Sequence, residues 1–306
     1  MGSLFRTFKS LARRSLNDEF LIARQFRNSF GRGIDFFNPQ TFNEKIQLQK
    51  LYNRNPRMTY LADKYLVRQH IKDLGHANIL NALIGAYDRP EDIDFESLPQ
   101  SFVIKCNHSW ATNIICEEKS SVNEQEIISK LNEWMQQNHY YKLREWAYKD
   151  IVPKIIIERH LGNELKDYKF FCFSGSPLYI QVDSERFGAH TLDIYDMDWT
   201  HLDCSKGNKK QGITPENPPP SFKQMASIAT DIASEFNFCR VDFLATPDTF
   251  FFGEATFYPA GGFSSFQPEY FDYLFGEKFN VADLKIPLTS RLKIGVITLL
   301  DRMGML

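Results

Sequence analysis

Apolar residues recur at the three- and four-residue spacing of a helix in three stretches of the chain. Residues 40–74 carry one apolar stripe and end at Gly75, a residue type that often follows a helix. A second helix is predicted after Asn123, which can cap it, and a third begins at the capping-box pattern Ser221-x-x-Gln224. The spacing therefore predicts helices early, midway and late in the chain.

Strands are predicted where apolar and β-branched residues alternate between turn signals. Residues 101–107, 113–116 and 153–158 fit this pattern, and the middle helix lies between the second and third of these stretches. Two hairpins follow, within residues 168–182 and 239–257, each with a turn signal at its centre. The chain therefore combines helices with strands that are joined as hairpins.

These elements predict an α+β fold in three parts. Residues 1–100 form a helical and α/β N-terminal region, residues 101–157 form a small α+β lid, and residues 158–306 form a lobe built on an antiparallel sheet. The chain is 43% hydrophobic and 24% charged, an ordinary globular composition that supplies enough apolar residues for substantial cores.

The last hairpin carries the residues with the clearest chemistry. Strand periodicity places Arg240 and Asp242 on one face, and it does the same for Glu254 and Thr256. A connecting loop with an odd number of residues, such as Pro247–Thr249, puts Asp242 opposite Glu254. An even loop puts the two carboxylates on opposite faces, and the odd loop is the expectation adopted here.

Two carboxylates placed in this way can hold Mg²⁺, which prefers one or two protein oxygens together with phosphates and water. The alternative is that Arg240 simply pairs with one or both acids. Burying two acids and an arginine among phenylalanines costs desolvation free energy, and this cost favours a functional role for the three residues.

Two lysines upstream of this hairpin suggest phosphate binding. Lys105 alternates with Ile104 and Cys106 on a strand suited to burial, and Lys64 lies within a predicted helical stretch. Taken alone, each lysine can also be an ordinary solvated surface charge. Together they are expected to neutralise nucleotide phosphates as point charges.

Composition narrows the function classes. The formal net charge of −2 shows no bias toward nucleic acid, so no nucleic-acid partner is predicted. The five cysteines have no zinc-like spacing, and their odd number favours a reducing compartment. No apolar run reaches the roughly 18 residues of a membrane span, and the N-terminus has no secretory signal, so a cytoplasmic location is predicted.

The first 33 residues differ from the rest in charge. Residues 1–33 carry seven arginines and lysines against Asp18 and Glu19, and apolar residues interleave at helical spacing. Such a basic amphipathic helix fits peripheral contact with an anionic membrane surface, here the inner face, or with another subunit. It also fits a helix packed on its own domain, and both readings stay open. The oligomeric state is not predicted.

Across residues 40–280 the sequence resembles the ATP-grasp superfamily, and more closely its TupA-like branch, which is associated with teichuronopeptide and capsular polysaccharide synthesis. The motifs that carry this resemblance are short but occur in a specific order. They are Phe-Asn-Glu-Lys at 42–45, Ala-Asp-Lys-Tyr at 62–65, Phe-Val-Ile-Lys-Cys-Asn-His at 102–108, Arg-Glu-Trp-Ala-Tyr-Lys at 144–149, Asp-Tyr-Lys-Phe-Phe-Cys-Phe at 167–173, Tyr-Asp-Met-Asp-Trp at 195–199, Arg-Val-Asp-Phe at 240–243 and Phe-Gly-Glu-Ala-Thr-Phe-Tyr-Pro-Ala-Gly-Gly at 252–262.

The resemblance implies an ATP-grasp fold and an ATP site with Mg²⁺. Lys64 and Lys105 match lysines that contact phosphates in that superfamily. The segment 158–161, Glu158-Arg159-His160-Leu161, resembles its adenine hinge, in which the main chain of Arg159 and Leu161 reads the base. Asp167 matches the acid that usually binds ribose.

The catalytic and metal positions are implied in the same way. Asp242 and Glu254 match the metal-binding acids, and Arg240 matches an arginine that stabilises the acyl phosphate and its tetrahedral successor. Thr256 departs from the family, in which an asparagine commonly occupies this position, although a hydroxyl can still bind Mg²⁺ or phosphate. The loop 108–112 also departs, because it lacks the usual glycines; His108 is its candidate phosphate ligand.

The implied activity is that of an ATP-dependent carboxylate–amine ligase acting on a surface polysaccharide or its precursor. Lys105 and Arg240 are its predicted catalytic residues. A glycosyltransferase is the main alternative, since Asp196-Met197-Asp198 fits a metal-binding Asp-x-Asp pattern. A catalytically inactive ATP-binding module is the third reading, suggested by the glycine-free loop and Thr256.

Overall fold

Residues 17–76 are mainly helical. The structure is a computed structural model that describes residues 17–184, 191–212 and 217–306. Its first helices are α1 (Asp18–Phe30), α2 (Phe42–Tyr52), α3 (Pro56–Ala62) and α4 (Val67–Asp73). The predicted basic amphipathic segment is therefore covered only in part, because residues 1–16 lie outside the described residues.

The stretch 40–74 is helical as predicted, but it is divided into three helices. Pro56 occupies the first turn of α3, where its missing N–H is not needed, and it cannot continue α2. Beyond α3, the side chain of Asp63 accepts hydrogen bonds from main-chain N–H groups two and three residues later, at 2.8 and 3.1 Å. These bonds form a turn instead of another helical turn, and Lys64 lies in it.

A four-stranded antiparallel sheet, the lid sheet, comes next. Its strands stand in the order β1-β4-β2-β3, with the bounds β1 (Leu83–Tyr87), β2 (Phe102–Cys106), β3 (Asn113–Cys116) and β4 (Ile155–Arg159). One of its faces is covered by α5 (Glu124–Met135), whose Ile127 and Leu131 pack against Ile104 and Ile157. Asn123 caps α5 as predicted. The three predicted strands are confirmed, whereas β1 was not predicted.

A six-stranded antiparallel sheet, the main sheet, contains both predicted hairpins. Its order is β11-β10-β5-β6-β7-β8. The strands are β5 (Lys166–Phe173), β6 (Ser176–Ser184), β7 (Thr191–Asp196), β8 (His201–Leu202), β10 (Phe238–Ala245) and β11 (Phe250–Thr256), while β9 (Ser205–Lys206) pairs separately with β12 (Phe266–Gln267).

One face of the main sheet is covered by α7 (Phe222–Ala233). The rings of Phe170 and Phe222 stack at 6.1 Å, and the Cys172 thiol lies 3.9 Å from the carbonyl oxygen of Ala229. Ser221 precedes α7 but makes no side-chain capping bond, because its backbone is helical rather than extended. The predicted capping box is therefore wrong, although the helix is present.

The remaining helices are α6 (Tyr140–Leu143), α8 (Tyr270–Lys278) and α9 (Leu288–Arg302). Helix α9 lies beside α1: the Ser290 hydroxyl donates to the Glu19 carboxylate at 2.6 Å, and Arg27 pairs with Asp301 at the other end. These contacts show that the two helices run in the same direction. Among the described residues, no helix combines the length and apolarity needed to cross a membrane.

Candidate functional site

Asp242 and Glu254 lie directly opposite each other on β10 and β11, on the same side of the main sheet. The loop between these strands, residues 246–249, is four residues long, so the predicted odd-length loop Pro247–Thr249 is wrong. The two carboxylates meet because Gly253 is the extra residue of a β-bulge, which shifts the register by one. A Cβ on Gly253 would lie only 3.0 Å from the main-chain oxygen of Asp242, so this close approach favours glycine.

Arg240 holds the two carboxylates from the same face. Its Nε and Nη2 atoms donate to the two oxygens of Asp242 at 2.7 and 2.6 Å. The same Nη2 lies 3.3 Å from the Thr256 hydroxyl and 3.7 Å from the Glu254 carboxylate. Thr256 in turn donates to Glu254 at 3.1 Å. The four side chains form one connected group on the polar face.

The two acids of this group differ in their pKa. Burial raises the pKa of Asp242 to about 6, although Arg240 opposes the shift. Burial also acts to raise the pKa of Glu254, but Lys64, Arg240 and the Thr256 hydrogen bond outweigh it and lower the pKa to about 2. Glu254 is therefore fully ionised at neutral pH, while Asp242 holds its proton more readily.

Lys64 reaches this group from the turn after α3. Its Nζ donates to the carbonyl oxygen of Ser109 at 2.6 Å and lies 3.6 Å from the Glu254 carboxylate. The turn is fastened to the end of β2, because Asn107 donates to the Asp63 carboxylate at 3.0 Å and accepts at its main chain from the Lys64 N–H at 3.2 Å. Two motifs far apart in sequence are thus joined beside the carboxylates.

Lys105 faces the main sheet from β2. Its Nζ lies 2.8 Å from the Glu158 carboxylate, which also accepts from Arg68 at 2.9 Å. These three residues, with Lys64 and Gly253, line a cavity of about 20 Å³ between the lid sheet and β11. The two predicted phosphate lysines therefore border one narrow gap next to the carboxylate hairpin.

The predicted adenine hinge borders a larger cavity of about 590 Å³, lined by Arg159 and Leu161 from one side and by Phe251 from the other. The main chain of Arg159 is already engaged: its N–H donates to Ala82 at 3.0 Å and its carbonyl accepts from Asn81 at 2.8 Å. The N–H of Arg159 is therefore not free for the adenine contact expected of it, because the carbonyl oxygen of Ala82, just before β1, already accepts it.

Asp167, the predicted ribose ligand, is buried within an ion network on the polar face of the main sheet. The Nζ of Lys169 lies 3.3 Å from its carboxylate and also pairs with Asp183, and Gln181 donates to Asp183 at 2.9 Å. Asp167 is not among the residues that line the hinge cavity. The structure thus places it with Lys169 and Asp183, and its role as the ribose ligand stays a prediction.

His108 is turned into the protein. It is 2% exposed, with Nε2 lying 3.3 Å from the carbonyl oxygen of Trp134 and Nδ1 lying 3.3 Å from the Asn107 side chain. A buried ring with both nitrogens in contact supports the 108–112 loop, and the predicted role of His108 as a phosphate ligand stays a prediction. The loop is held further by contact between the Ser109 and Thr112 hydroxyls.

Two lysines of the polar face were missed by the sequence analysis. Lys169 had a signal, because it follows Asp167 by two residues and therefore shares its face. Lys206 had none, since it lies in a strand of only two residues and becomes buried through tertiary contacts. Its Nζ lies 4.9 Å from the ring centre of Phe171 and 5.2 Å from that of Phe266.

The amine of Lys206 is unusual in its charge environment. Burial and the positive charges of Arg240 and Lys169 together lower its pKa to about 7, although the Asp183 carboxylate opposes the shift. Within the described part of the chain, no carboxylate forms an ion pair with it. An anion bound beside Lys206 would add a direct counter-charge to the more distant one of Asp183.

The donor atoms on the hairpin fit a hard divalent cation. Asp242, Glu254 and Thr256 offer oxygen only, the donor type that Mg²⁺ prefers. Within residues 17–184, 191–212 and 217–306, no group of three or more His, Cys, Asp and Glu side chains is arranged to hold a metal. The two carboxylates therefore fit Mg²⁺ if a nucleotide supplies further oxygens, and Lys64 and Lys105 lie where its phosphates would need positive charge.

Comparison with known proteins gives a family match over most of the chain. Residues 44–280 match the family model described as TupA-like ATPgrasp. No curated protein matches the sequence.

Solved structures give weaker similarity. D-alanine–D-alanine ligase from Bacillus anthracis, complexed with ATP, is 16% identical with a TM-score of 0.37, over 64% of this chain and 53% of that chain. The ligase of the same name from Helicobacter pylori is 15% identical with a TM-score of 0.38, over 72% and 61%. The ATP-grasp ligase PsnB, complexed with a minimal precursor, is 13% identical with a TM-score of 0.36, over 67% and 55%. The chain thus spans little more than half the length of these proteins.

Proposed function

The chain belongs to the TupA-like ATP-grasp family and has the ATP-grasp fold, and from this premise we propose that it is an ATP- and Mg²⁺-dependent ligase that joins a carboxylate to an amine. One observation carries the proposal. Asp242 and Glu254 meet on one sheet face, Arg240 binds Asp242, and Lys64 lies 3.6 Å from Glu254. Acids and bases concentrated in this way between two sheets suit a charged nucleotide.

In this proposal the hairpin holds the metal and the lysines hold the phosphates. Asp242 and Glu254, with the Thr256 hydroxyl beside them, would bind Mg²⁺, which neutralises phosphate charge when bound. Lys64 and Lys105 would exchange their present partners, the Ser109 carbonyl and the Glu158 carboxylate, for phosphate oxygens. Leu161 and the rest of the 590 Å³ cavity would take the base.

The chemistry assigned to the site has two steps. A substrate carboxylate oxygen attacks the γ-phosphorus of ATP, and ADP leaves to give an acyl phosphate. The nitrogen of an amine then attacks the acyl carbon, phosphate leaves, and the nitrogen loses a proton. Negative charge accumulates on oxygen in both steps. Arg240 would stabilise this charge, because its planar guanidinium group can donate two hydrogen bonds from a fixed position.

Lys206 is the group we assign to the carboxylate substrate. It lies on the same polar region as Arg240 and Lys169, and no described carboxylate pairs with it. An incoming carboxylate would be stabilised by this cation and would in turn favour its protonated form. By family association, that carboxylate belongs to a uronic acid of a surface polysaccharide or to an amino acid that is joined to an amino sugar.

The glycosyltransferase alternative depends on Asp196 and Asp198, and the structure gives Asp196 a different use. Its carboxylate accepts the N–H of Asp198 at 3.0 Å and that of Thr200 at 2.8 Å, which closes the turn after β7. The turn explains the Asp-x-Asp pattern without a metal. An inactive ATP-binding module remains distinguishable by turnover alone.

The test is ATP-dependent phosphate release, measured by malachite green, with uronic acids paired with amino acids and amino sugars. We expect phosphate release that requires both a carboxylate and an amine, and that is lost in Asp242→Asn. ATP binding without release under any pair would support the inactive module. Transfer from a nucleotide sugar without ATP consumption would support the glycosyltransferase and contradict the proposal.

The phosphate role of Lys105 has its own test. Lys105→Ala should weaken ATP binding by about 1.5–3 kcal/mol, the usual loss for a hydrogen bond to a charged group. Lys130→Ala is the matched control, because Lys130 is an exposed lysine of the same lid, on α5. Isothermal titration calorimetry should show the loss in the first variant only. Unchanged ATP affinity in Lys105→Ala contradicts the assignment.

A further inference from the structure

Helix α9 presents two apolar faces on opposite sides. Its inner face, with Ile294 and Ile297, packs against Ile22 and Ala23 of α1. The outer face is a row of large apolar side chains that are between 59% and 75% exposed. This row, the α9 stripe, consists of Leu288, Leu292, Val296, Leu299 and Met303. At about 100° per residue, the centre of the stripe lies roughly 170° from the centre of the inner face, so it points directly away from the protein.

Cations border the α9 stripe on both sides. On the helical wheel Arg291 and Arg302 lie along one edge and Lys293 along the other, and all three are exposed. The only acidic residue of the helix, Asp301, is turned inward and pairs with Arg27. The outer surface of α9 therefore combines apolar side chains with positive charge alone, in a chain whose overall charge is −2.

This charge distribution discriminates between possible occupants of the stripe. Two copies packed through their α9 stripes would bring Arg291, Lys293 and Arg302 against the same cations of the other copy. Residues 1–16 of the chain carry four basic residues and no acid, so they too would add positive charge to positive charge. An anionic surface complements both the apolar and the cationic parts.

We propose that α9 docks the protein on an anionic lipid surface, with the α9 stripe inserted at the level of the headgroups and Arg291, Lys293 and Arg302 bound to lipid phosphates. A helix that lies in the interface needs one apolar face flanked by lysine and arginine, and α9 has this composition on its outer side. The inner face stays packed on α1, so docking needs no unfolding of the helix. The inference is independent of the reaction at the hairpin.

The experiment is flotation of the full chain with vesicles of phosphatidylcholine alone and of equal parts phosphatidylcholine and phosphatidylglycerol. The first variant is Leu292→Glu with Leu299→Glu, which changes two exposed side chains and leaves the core intact. The matched control is Gln125→Glu with Ser129→Glu, which makes the same change in charge at exposed positions of α5. The third variant replaces Arg291, Lys293 and Arg302 by glutamine.

We expect the wild type and the α5 control to bind the anionic vesicles and not the neutral ones. The stripe variant should lose binding by tenfold or more, roughly the loss for withdrawing two leucine side chains. The glutamine variant should lose about fivefold per cation. Sedimentation velocity measured alongside reports the oligomeric state.

Three results would overturn the proposal. One is a wild type that binds neither kind of vesicle, or binds both equally. Another is a stripe variant that binds as well as the wild type, which would place the contact elsewhere, for example in residues 1–16. The third is a wild-type dimer that the stripe variant dissociates without any vesicle binding, which would make the stripe an interface between two copies.

Discussion

The two faces of the main sheet are built from alternating residues of the same strands, yet one face is apolar and the other is charged. On β10, Cys239, Val241 and Phe243 are buried toward the α7 side, whereas Arg240 and Asp242 project to the polar side. The first face needs no partner other than close packing. The second keeps charges out of water, which is costly unless they are paired.

The difference teaches where stability and function lie in this sheet. Apolar burial on the α7 side stabilises the fold through every contact. On the polar side, an apolar replacement of the ion network would often be neutral or stabilising, so the presence of that network points to chemistry. The members of the network are Arg240, Lys169 and Lys206 on the positive side and Asp242, Glu254, Asp167 and Asp183 on the negative side.

Phe243→Ala should have the largest effect and should act on stability alone. The centre of the ring lies 5.7 Å from that of Phe170 and 5.6 Å from that of Phe250, in a fully buried site. Its loss leaves a cavity and should lower the free energy of unfolding by about 3–5 kcal/mol. Urea denaturation measures it. Leu244→Ala, the next residue on the opposite and half-buried face, is the control and should lose less. An equal loss in both variants would break the distinction between the faces.

Arg240→Lys should have the next largest effect and should act on turnover. A lysine keeps the charge but cannot reproduce the two-pronged contact with Asp242, and charge on the reacting oxygens grows in the transition state. We expect kcat to fall about a hundredfold, near 3 kcal/mol, with a much smaller change in ATP affinity. Equal losses in both would assign Arg240 to nucleotide binding in the ground state. No loss in either would leave it a structural partner of the carboxylates.

Lys206→Met should have the smallest effect on stability and the opposite sign. The pKa of Lys206 is about 7 in the folded protein and about 10.5 in the unfolded chain, so folding below pH 7 buries a cation. The variant should therefore be more stable by about 1–2 kcal/mol at or below pH 7. This gain should shrink as the pH rises from 7 through 10.5, because only above 10.5 is the wild-type amine neutral in both states.

The control and the functional counterpart sharpen this last prediction. Lys130→Met, at an exposed site, should show no such pH dependence in urea denaturation. If Lys206 binds the carboxylate substrate, the methionine variant should raise the KM for that substrate while ATP affinity stays the same. A destabilised Lys206→Met at pH 7 would mean that the amine has a stabilising partner, contrary to the assignment.

Sequence patterns predicted the fold better than the detailed site. The alternating strands and the capped helix after Asn123 were found because apolar and β-branched residues or a capping residue mark them. β1 is as long as β2, and it was missed because Gly85 interrupts its apolar pattern at the centre and because it pairs only with β4, at the edge of the lid sheet. Pro56 and the Asp63 turn divided a stretch that its apolar stripe had joined.

Side-chain direction was harder to predict because it depends on tertiary contacts. The polar loop at 108–112 suggested that His108 points to phosphate. In the structure its ring points into the protein, where Nε2 contacts the carbonyl oxygen of Trp134 near the end of α5. The segment predicted as the hinge lies beside a cavity, yet the carbonyl oxygen of Ala82 already accepts the N–H of Arg159. Lys206 had no periodic signal at all, since two residues are too few to show one.

The bulge at Gly253 has a consequence for how this hairpin can change during evolution. Asp242 and Glu254 are separated by residues 243–253, and this one length of chain is compatible with two pairings: a four-residue loop with one bulge, as here, or a three-residue loop without a bulge. A lineage can therefore exchange one pairing for the other, with residue 246 joining β10 and residue 253 joining the regular ladder, while the carboxylate pair and the chain length stay the same. Alignments of relatives should for this reason be anchored on the two acids, because the loop and the bulge can exchange a residue without leaving a gap.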